Sequence, residues 1–460
     1  MAVLAVAGLA SSFMFTLVMP IQAQLPELLN ASRDDTAWVI TSTLLAAAVI
    51  TPIAGRLGDM YGKRRIVLVL LALLVAGSVL AAVTTSIVPM IIGRALQGAM
   101  SGVIPLGISI LRDVLHEKRV DSAVALISAT LGVGAAIGMP VSALVTQYLN
   151  WHMLFWMAAA MGAIVFVLVL WIVPVSVLRS GGRFDVLGAL GLSAGLVGIL
   201  LAISRGNEWG WTSPGTLGCA VGGVVVLLLW GWYQLRVPAP LLDLRVAARP
   251  AVLLTNLASI AIGFGLFASS VAYPQILELP VASGAGLGLT IVEAAFVVMP
   301  SGLVMMVLSP FSGKLASTVG PKLLLVLGSV ALVVAYGISL WSTAEVWHIL
   351  VANLFVGVGI GFGYASMPML IMRSVPQSET GASNGLNTLF RSLGTSSAAA
   401  IVGTVLAGHT IDLDGVAVPS AEGFQVAFLW GMGAAVVALV IALCLPRRRD
   451  PHELHPSLPH

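Results

Sequence analysis

The sequence predicts an all-α polytopic membrane protein of fourteen spans, and three observations carry that reading. Of 460 residues, 58% are hydrophobic and 9% charged, against about 25% charged in soluble domains. The mean hydropathy is +1.03. The apolar residues also gather in runs near the ~20 residues that a helix needs to cross ~30 Å of hydrocarbon. So few charges cannot cover a water-facing surface, so lipid is the solvent for most of the chain. Long runs without alternation exclude a transmembrane barrel.

In order, the spans fall near residues 3–24, 36–56, 66–85, 88–112, 122–146, 153–174, 186–204, 216–235, 251–273, 287–310, 323–342, 348–372, 380–406 and 424–445. Internal Pro and Gly are tolerated where neighbouring helices satisfy the freed backbone groups. Lys and Arg in the loops fix the orientation. Eighteen lie on one side, from Arg56 and Lys63 to Arg449, and two, Arg33 and Arg205, on the other. The basic side is then cytoplasmic, with both termini on it, and the protein is placed in the cell (inner) membrane.

The net charge of +3 gives no basis for a nucleic-acid partner. Cys219 and Cys444 lie far apart in apolar runs and read as buried small hydrophobes. No metal site or cofactor is indicated, and no Gly-x-x-x-x-Gly-Lys-(Ser/Thr) motif for ATP occurs. The first run carries no cleavage site for a signal peptide. The tail after Pro446 is basic, then His- and Pro-rich, and reads as disordered.

One pattern occurs twice. Gly55-Arg56-Leu57-Gly58-Asp59-Met60-Tyr61-Gly62-Lys63-Arg64-Arg65 follows span 2, and Gly313-Lys314-Leu315-Ala316-Ser317-Thr318-Val319-Gly320-Pro321-Lys322 follows span 10. Both read Gly-x-Leu-small-x-x-x-Gly and then a base, on the cytoplasmic side. Two related halves with a site between them near the midplane are a common transporter architecture. The fourteen spans then divide as six, two inserted, and six. The divisions are an N-terminal six-helix bundle at 1–178, an inserted helix pair at 179–248, a C-terminal six-helix bundle at 249–446 and a tail at 447–460.

The first copy resembles the signature loop of the major facilitator superfamily. Arg94-Ala95-Leu96-Gln97-Gly98 resembles the Arg-x-x-Gln-Gly motif of its proton-coupled members. Arg183-Phe184-Asp185-Val186-Leu187-Gly188 resembles the approach to the inserted pair in its fourteen-span drug:proton antiporters. The resemblance implies the major facilitator fold, with two six-helix bundles plus two inserted helices, and alternating access. Two segments depart from it. Gly132-Val133-Gly134-Ala135-Ala136-Ile137-Gly138-Met139-Pro140 lacks the closing Gly pair of the antiporter motif, and span 1 carries no embedded acid.

Ionisable residues inside a span cost roughly 2.5–3.5 kcal/mol on insertion scales, so each requires a reason. Arg94, Glu293 and Arg391 qualify. Glu293, among apolar neighbours, is the expected proton carrier, with Arg94 as its coupling partner. Arg391 is the deepest and either neutralises Glu293, holds an anionic group or makes a structural pair. Gln97, Asn256, Asn353, Asn384 and Asn387 are candidate cavity liners. The resemblance gives Gly55, Asp59, Gly62, Lys63 and Arg64 a part in conformational gating, and Asp113 joins Asp59 and Lys63 in one charge cluster.

The expected function is secondary active transport: proton-coupled efflux of amphipathic small molecules by a monomer whose partners are substrate, protons and lipid. The alternative is a proton-coupled or facilitative importer of a small anionic or zwitterionic nutrient. A membrane enzyme would need a convergent catalytic set, which one Glu and two Arg do not supply. A channel would need a continuous filter, and none is visible.

Overall fold

Helices dominate because lipid offers no partner to a free N–H or C=O, and a helix satisfies its own. The computed structural model describes residues 1–175, 183–413 and 415–446. The tail 447–460 and the connector 176–182 lie outside the described residues. Among the described residues, thirteen helices are long and apolar enough to cross a membrane, and Ala2–Thr16 is a shorter apolar helix. In chain order they are α1 Ala2–Thr16, α2 Arg33–Tyr61, α3 Lys63–Val83, α4 Ile87–Val114, α5 Glu117–Tyr148, α6 His152–Ile172 and α7 Val186–Trp209. There follow α8 Pro214–Gln234, α9 Pro250–Glu278, α10 Ile291–Val319, α11 Pro321–Trp341, α12 Val346–Met372, α13 Thr380–Gly408 and α14 Ala421–Cys444.

Two spans differ from the sequence reading. The first, expected to run unbroken over 3–24, leaves the α-helical form at Thr16 and continues as a 3-10 helix, Met19–Gln24. The tenth, expected from residue 287, starts only at Ile291 and is interrupted at Met299 before Pro300. Pro lacks an N–H and forbids the regular ladder at that point. A short antiparallel hairpin, β1 Thr410–Leu413 with β2 Val416–Pro419, joins α13 to α14 and was not expected. The cysteines were expected to be buried, but Cys219 is half-buried and Cys444 exposed. Each lies on a span, where an exposed face meets lipid and an apolar thiol costs little.

The apolar residues form two main cores. One joins α1 to α6 through residues such as Leu71, Met100, Leu154 and Phe155. The other joins α9 to α14 through Ile262, Tyr273, Tyr336, Phe428 and Val402. The helix pair α7–α8 packs tightly on itself and reaches both groups through α7. Leu192, Leu196 and Leu200 share a cluster with Ala48 of α2 and with Leu386 and Leu389 of α13. Toward the end opposite the loop bases, Arg205 stacks 4.5 Å over the Trp38 ring, and Thr404 donates to Asn207 at 2.6 Å. α8 turns much of its surface outward, including Val221, Leu228 and Trp232.

The groups meet along two seams, α2 against α13 and α5 against α10. Small residues make both close. A Cβ on Gly55 would lie 2.4 Å from the Gly381 carbonyl oxygen, and one on Gly313 would lie 2.5 Å from Ser122 Cα. Higher on the second seam, a Cβ on Gly302 would meet Ala136 and the Gly132 carbonyl. The two copies of the loop pattern are thus structurally equivalent. Each opens on a glycine packed against the first turns of the opposing helix. Each ends on a glycine with positive φ, +108° at Gly62 and +92° at Gly320, where a side chain would be strained.

Candidate functional site

At the basic end, the first seam is closed by a carboxylate. Asp59 is 1% exposed and accepts the backbone N–H of Ala382 at 2.9 Å and of Gly381 at 3.3 Å. These are orphan donors of the first turn of α13, where the helix dipole also favours negative charge. Asp59 therefore works as an external cap that ties one helix group to the other. Gly381 is required for the fit, since a Cβ there would lie 2.7 Å from Asp59 Oδ1.

Behind Asp59, Lys63 is 1% exposed. Its Nζ lies 2.6 Å from Asp113 Oδ2 and 3.8 Å from Asp59 Oδ1. The expected cluster of Asp59, Lys63 and Asp113 is present as a geometric unit. Arg112, beside it, donates to the Thr380 hydroxyl and, at 3.3 Å, to the Val375 carbonyl. Gln377 returns a bond to the Arg112 carbonyl at 3.3 Å. Arg64 was expected among the gating groups, but its guanidinium donates to the Leu170 carbonyl in the last turn of α6. It caps a helix within its own group, as bases near helix C-termini do.

The second seam ends differently. Ser317 stands where the first copy has Asp59, is exposed, and bonds back to Lys314 O at 2.8 Å. The crossing contact comes from Arg373, which donates to Asp121 at 2.6 Å and to the Ala316 carbonyl at 3.2 Å.

Midway along the helices, Ile104, Ser128, Tyr364, Asn384, Thr388 and Arg391 surround a cavity between the groups. In this conformation it measures about 10 Å³, room for about one water. Asn384, Thr388 and Arg391 share a face of α13 by their spacing. The Arg391 guanidinium lies 4.6 Å over the Tyr364 ring, and a long 3.4 Å contact reaches Thr388. A larger recess of about 200 Å³, lined by Arg56, Asp243 and Glu379 among others, lies at the basic end on the flank of the first seam, away from this chamber.

Several expected site residues are placed elsewhere. Glu293 was expected six residues inside a span among apolar neighbours. Because α10 starts at Ile291, Glu293 is the third residue of its helix, exposed, and forms a capping box with Thr290. A helix start satisfies the carboxylate there, and no ion pair joins it to Arg94 or Arg391 among the described residues.

Arg94 is 2% exposed and donates to the Met14 and Val39 carbonyls, both at 3.4 Å, and to Gln97 Oε1 at 2.7 Å. Met14 lies in the last turn of α1, where that helix breaks and leaves a carbonyl open. Gln97 passes the chain on to Ser78 at 2.8 Å, so it braces α4 rather than lining the chamber. Asn256 accepts from Asn387 at 3.0 Å and does not line the chamber. Asn353 bonds the Val298 carbonyl at 2.7 Å, next to the break in α10, and is also absent from the chamber wall. Asn384, Asn387 and Arg391 do line it.

Sequence reasoning missed Arg112, Asp121, Tyr364, Arg373 and the Thr380–Ala382 turn. The bases looked like ordinary loop charges. The turn contributes through its backbone, which no side-chain pattern reveals.

Two helix groups meet on glycine seams around a small buried cavity and are clamped at one end, an architecture common among secondary transporters. The chain belongs to the Major Facilitator Superfamily, which its residues 4–399 match. It is 24% identical over 456 residues to the lincomycin resistance protein LmrB of Listeria monocytogenes, covering 96% of this chain and 95% of that one. It is 24% identical over 375 residues to the multidrug transporter protein MdtP of Bacillus subtilis, covering 80% and 68%. Its fold is similar to that of the human organic anion transporter MFSD10 (TETRAN), with a TM-score of 0.66 and 14% identity, covering 97% and 98%. The protein is a multi-pass membrane transporter of small molecules.

Proposed function

We propose that the protein exports amphipathic small molecules by alternating access, coupled to proton entry, with the basic end in the cytoplasm. The observation that carries this reading is the Asp59 clamp. One buried carboxylate holds two mobile groups together at the end that the loop bases assign to the cytoplasm. Efflux is supported by the names of the relatives, a lincomycin resistance protein and a multidrug transporter.

Asp59 and Asp113 are both buried at the side chain, but Asp59 is the one bonded across the seam to α13, so the coupling role moves to it from Glu293. Protonation at Asp59 would replace two charge-assisted bonds with weaker ones and release the first turn of α13. A proton arriving with the cytoplasmic end shut thus favours opening, and its loss to the cytoplasm favours closing again. Lys63 holds the deprotonated form ready. Only differential affinity of proton and substrate for the two states can drive such a cycle. Arg94 is a brace that keeps the α1 break and α4 in register.

The test is flux in proteoliposomes with an imposed pH gradient and a panel of cationic, neutral and anionic aromatic compounds. Uphill movement of at least one compound, abolished by dissipating the gradient and by Asp59→Asn, is expected. Transport indifferent to the gradient would reject proton coupling.

A further inference from the structure

We infer that the central chamber takes an anionic aromatic ligand, whose acid group pairs with Arg391 and whose ring shares the Tyr364 side of the wall. The inference deepens the transporter reading above and rests on it for the chamber's being the transport site.

Arg94 and Arg391, both buried within spans, differ in what they still need. A guanidinium carries five donors. Arg94 donates to two backbone carbonyls and to Gln97. Arg391 is 9% exposed, and its polar partner is a single hydroxyl at 3.4 Å. No carboxylate lies within 4.0 Å of it among the described residues. The Tyr364 ring face offers a quadrupole but accepts few of the remaining bonds. A buried cation left in that condition favours an incoming anion, and a planar carboxylate or sulfonate matches the guanidinium fork.

A second, independent observation lies on the same face of the same helix. Asn384 is 2% exposed, and its side-chain oxygen has no hydrogen-bond partner, while its nitrogen donates to the Thr380 carbonyl at 3.0 Å. It sits seven residues before Arg391, about two turns and 10 Å along the helix. The chamber thus offers a cation at one end and an open acceptor at the other, so a ligand with an acid head and a donor such as a hydroxyl or N–H ~10 Å away satisfies both. A lipophilic cation finds neither counter-charge nor cage. The 10 Å³ void of this conformation must widen before such a molecule enters, which the opening of the seams supplies.

The test uses three matched probes: 6-hydroxy-2-naphthoate, 6-hydroxy-2-naphthamide and (6-hydroxy-2-naphthyl)methylammonium. Equilibrium binding is measured on the full chain in nanodiscs without any gradient, and transport is measured separately in proteoliposomes. The naphthoate should bind at least tenfold more tightly than the amide and the ammonium. Arg391→Ala should remove that preference, and Arg391→Lys should restore part of it. Asn384→Asp, which sets a carboxylate on the same face, should weaken the naphthoate and improve the ammonium, and serves where Arg391→Ala fails to fold. Failure of the naphthoate to bind wild type, equal binding of all three, or naphthoate binding unaltered in both Arg391→Ala and Asn384→Asp overturns the inference. Arg391-dependent naphthoate binding without proton-driven flux leaves it standing and removes the export reading. Proton-driven flux of the ammonium alone does the reverse.

Discussion

The two seams carry one sequence pattern at the basic end and yet close in different ways. On the first, α2 brings a buried carboxylate onto the backbone of α13. On the second, α10 carries exposed Ser317 at the matching position, and an Arg373–Asp121 pair, 32% and 17% exposed at the side chains, bridges the gap. A buried charge on a helix N-terminus is screened little, whereas a partly wet ion pair is worth little. The buried charged closure therefore belongs to the first seam, and the second relies on close backbone contacts and an exposed ion pair. A duplicated structure has been kept for its shape on both sides and for its chemistry on one.

Substitutions can break this comparison, the most damaging first. Gly55→Leu places bulk where a Cβ already lies 2.4 Å from Gly381 O, and should keep the first seam open and abolish transport in a vesicle flux assay. Asp59→Ala strips a buried charge network of one partner, a loss of about 3–5 kcal/mol for pairs of this kind. It should shift the population away from the closed basic end, read as faster alkylation of a cysteine placed at Thr388. Arg94→Ala leaves the Met14 carbonyl at the α1 break and Gln97 Oε1 short of a donor, at about 1–3 kcal/mol, and should lower the melting temperature more than it alters proton coupling. Retained stability with lost coupling would return Arg94 to the coupling role. Arg373→Ala should cost about 1 kcal/mol or less and change flux at most a few-fold. A loss equal to that of Asp59→Ala would show the two seams to be equals.

The fold was legible in the sequence because lipid imposes one rule on every span, and a run of apolar residues reports it directly. The repeat was legible because its glycines serve close approach and positive φ, which few other residues allow. Depth was harder to read. Glu293 looked embedded because residues 287–290 are apolar enough to extend the run, yet Thr290 starts the helix and captures the carboxylate. Asn256 and Asn353 looked free because their partners lie on helices distant in sequence, and Gln97 because a linear pattern does not show that it bonds Arg94 and Ser78. Arg64 and Arg94 likewise cap helix ends whose position a linear pattern cannot show. Asp59 was identified through its motif, while its receptor, the bare N–H groups of Gly381 and Ala382, carries no side-chain signal.

If Asp59 holds the basic end shut, the distance across that end depends on it. Spin labels at Tyr61→Cys and Ser378→Cys, both on exposed positions beside the latch, report it by pulsed electron resonance in nanodiscs. With Asp59 present, a dominant short distance is expected at neutral pH; Asp59→Ala should give a longer, broader distribution under the same conditions. Indistinguishable distributions in the two proteins would contradict it.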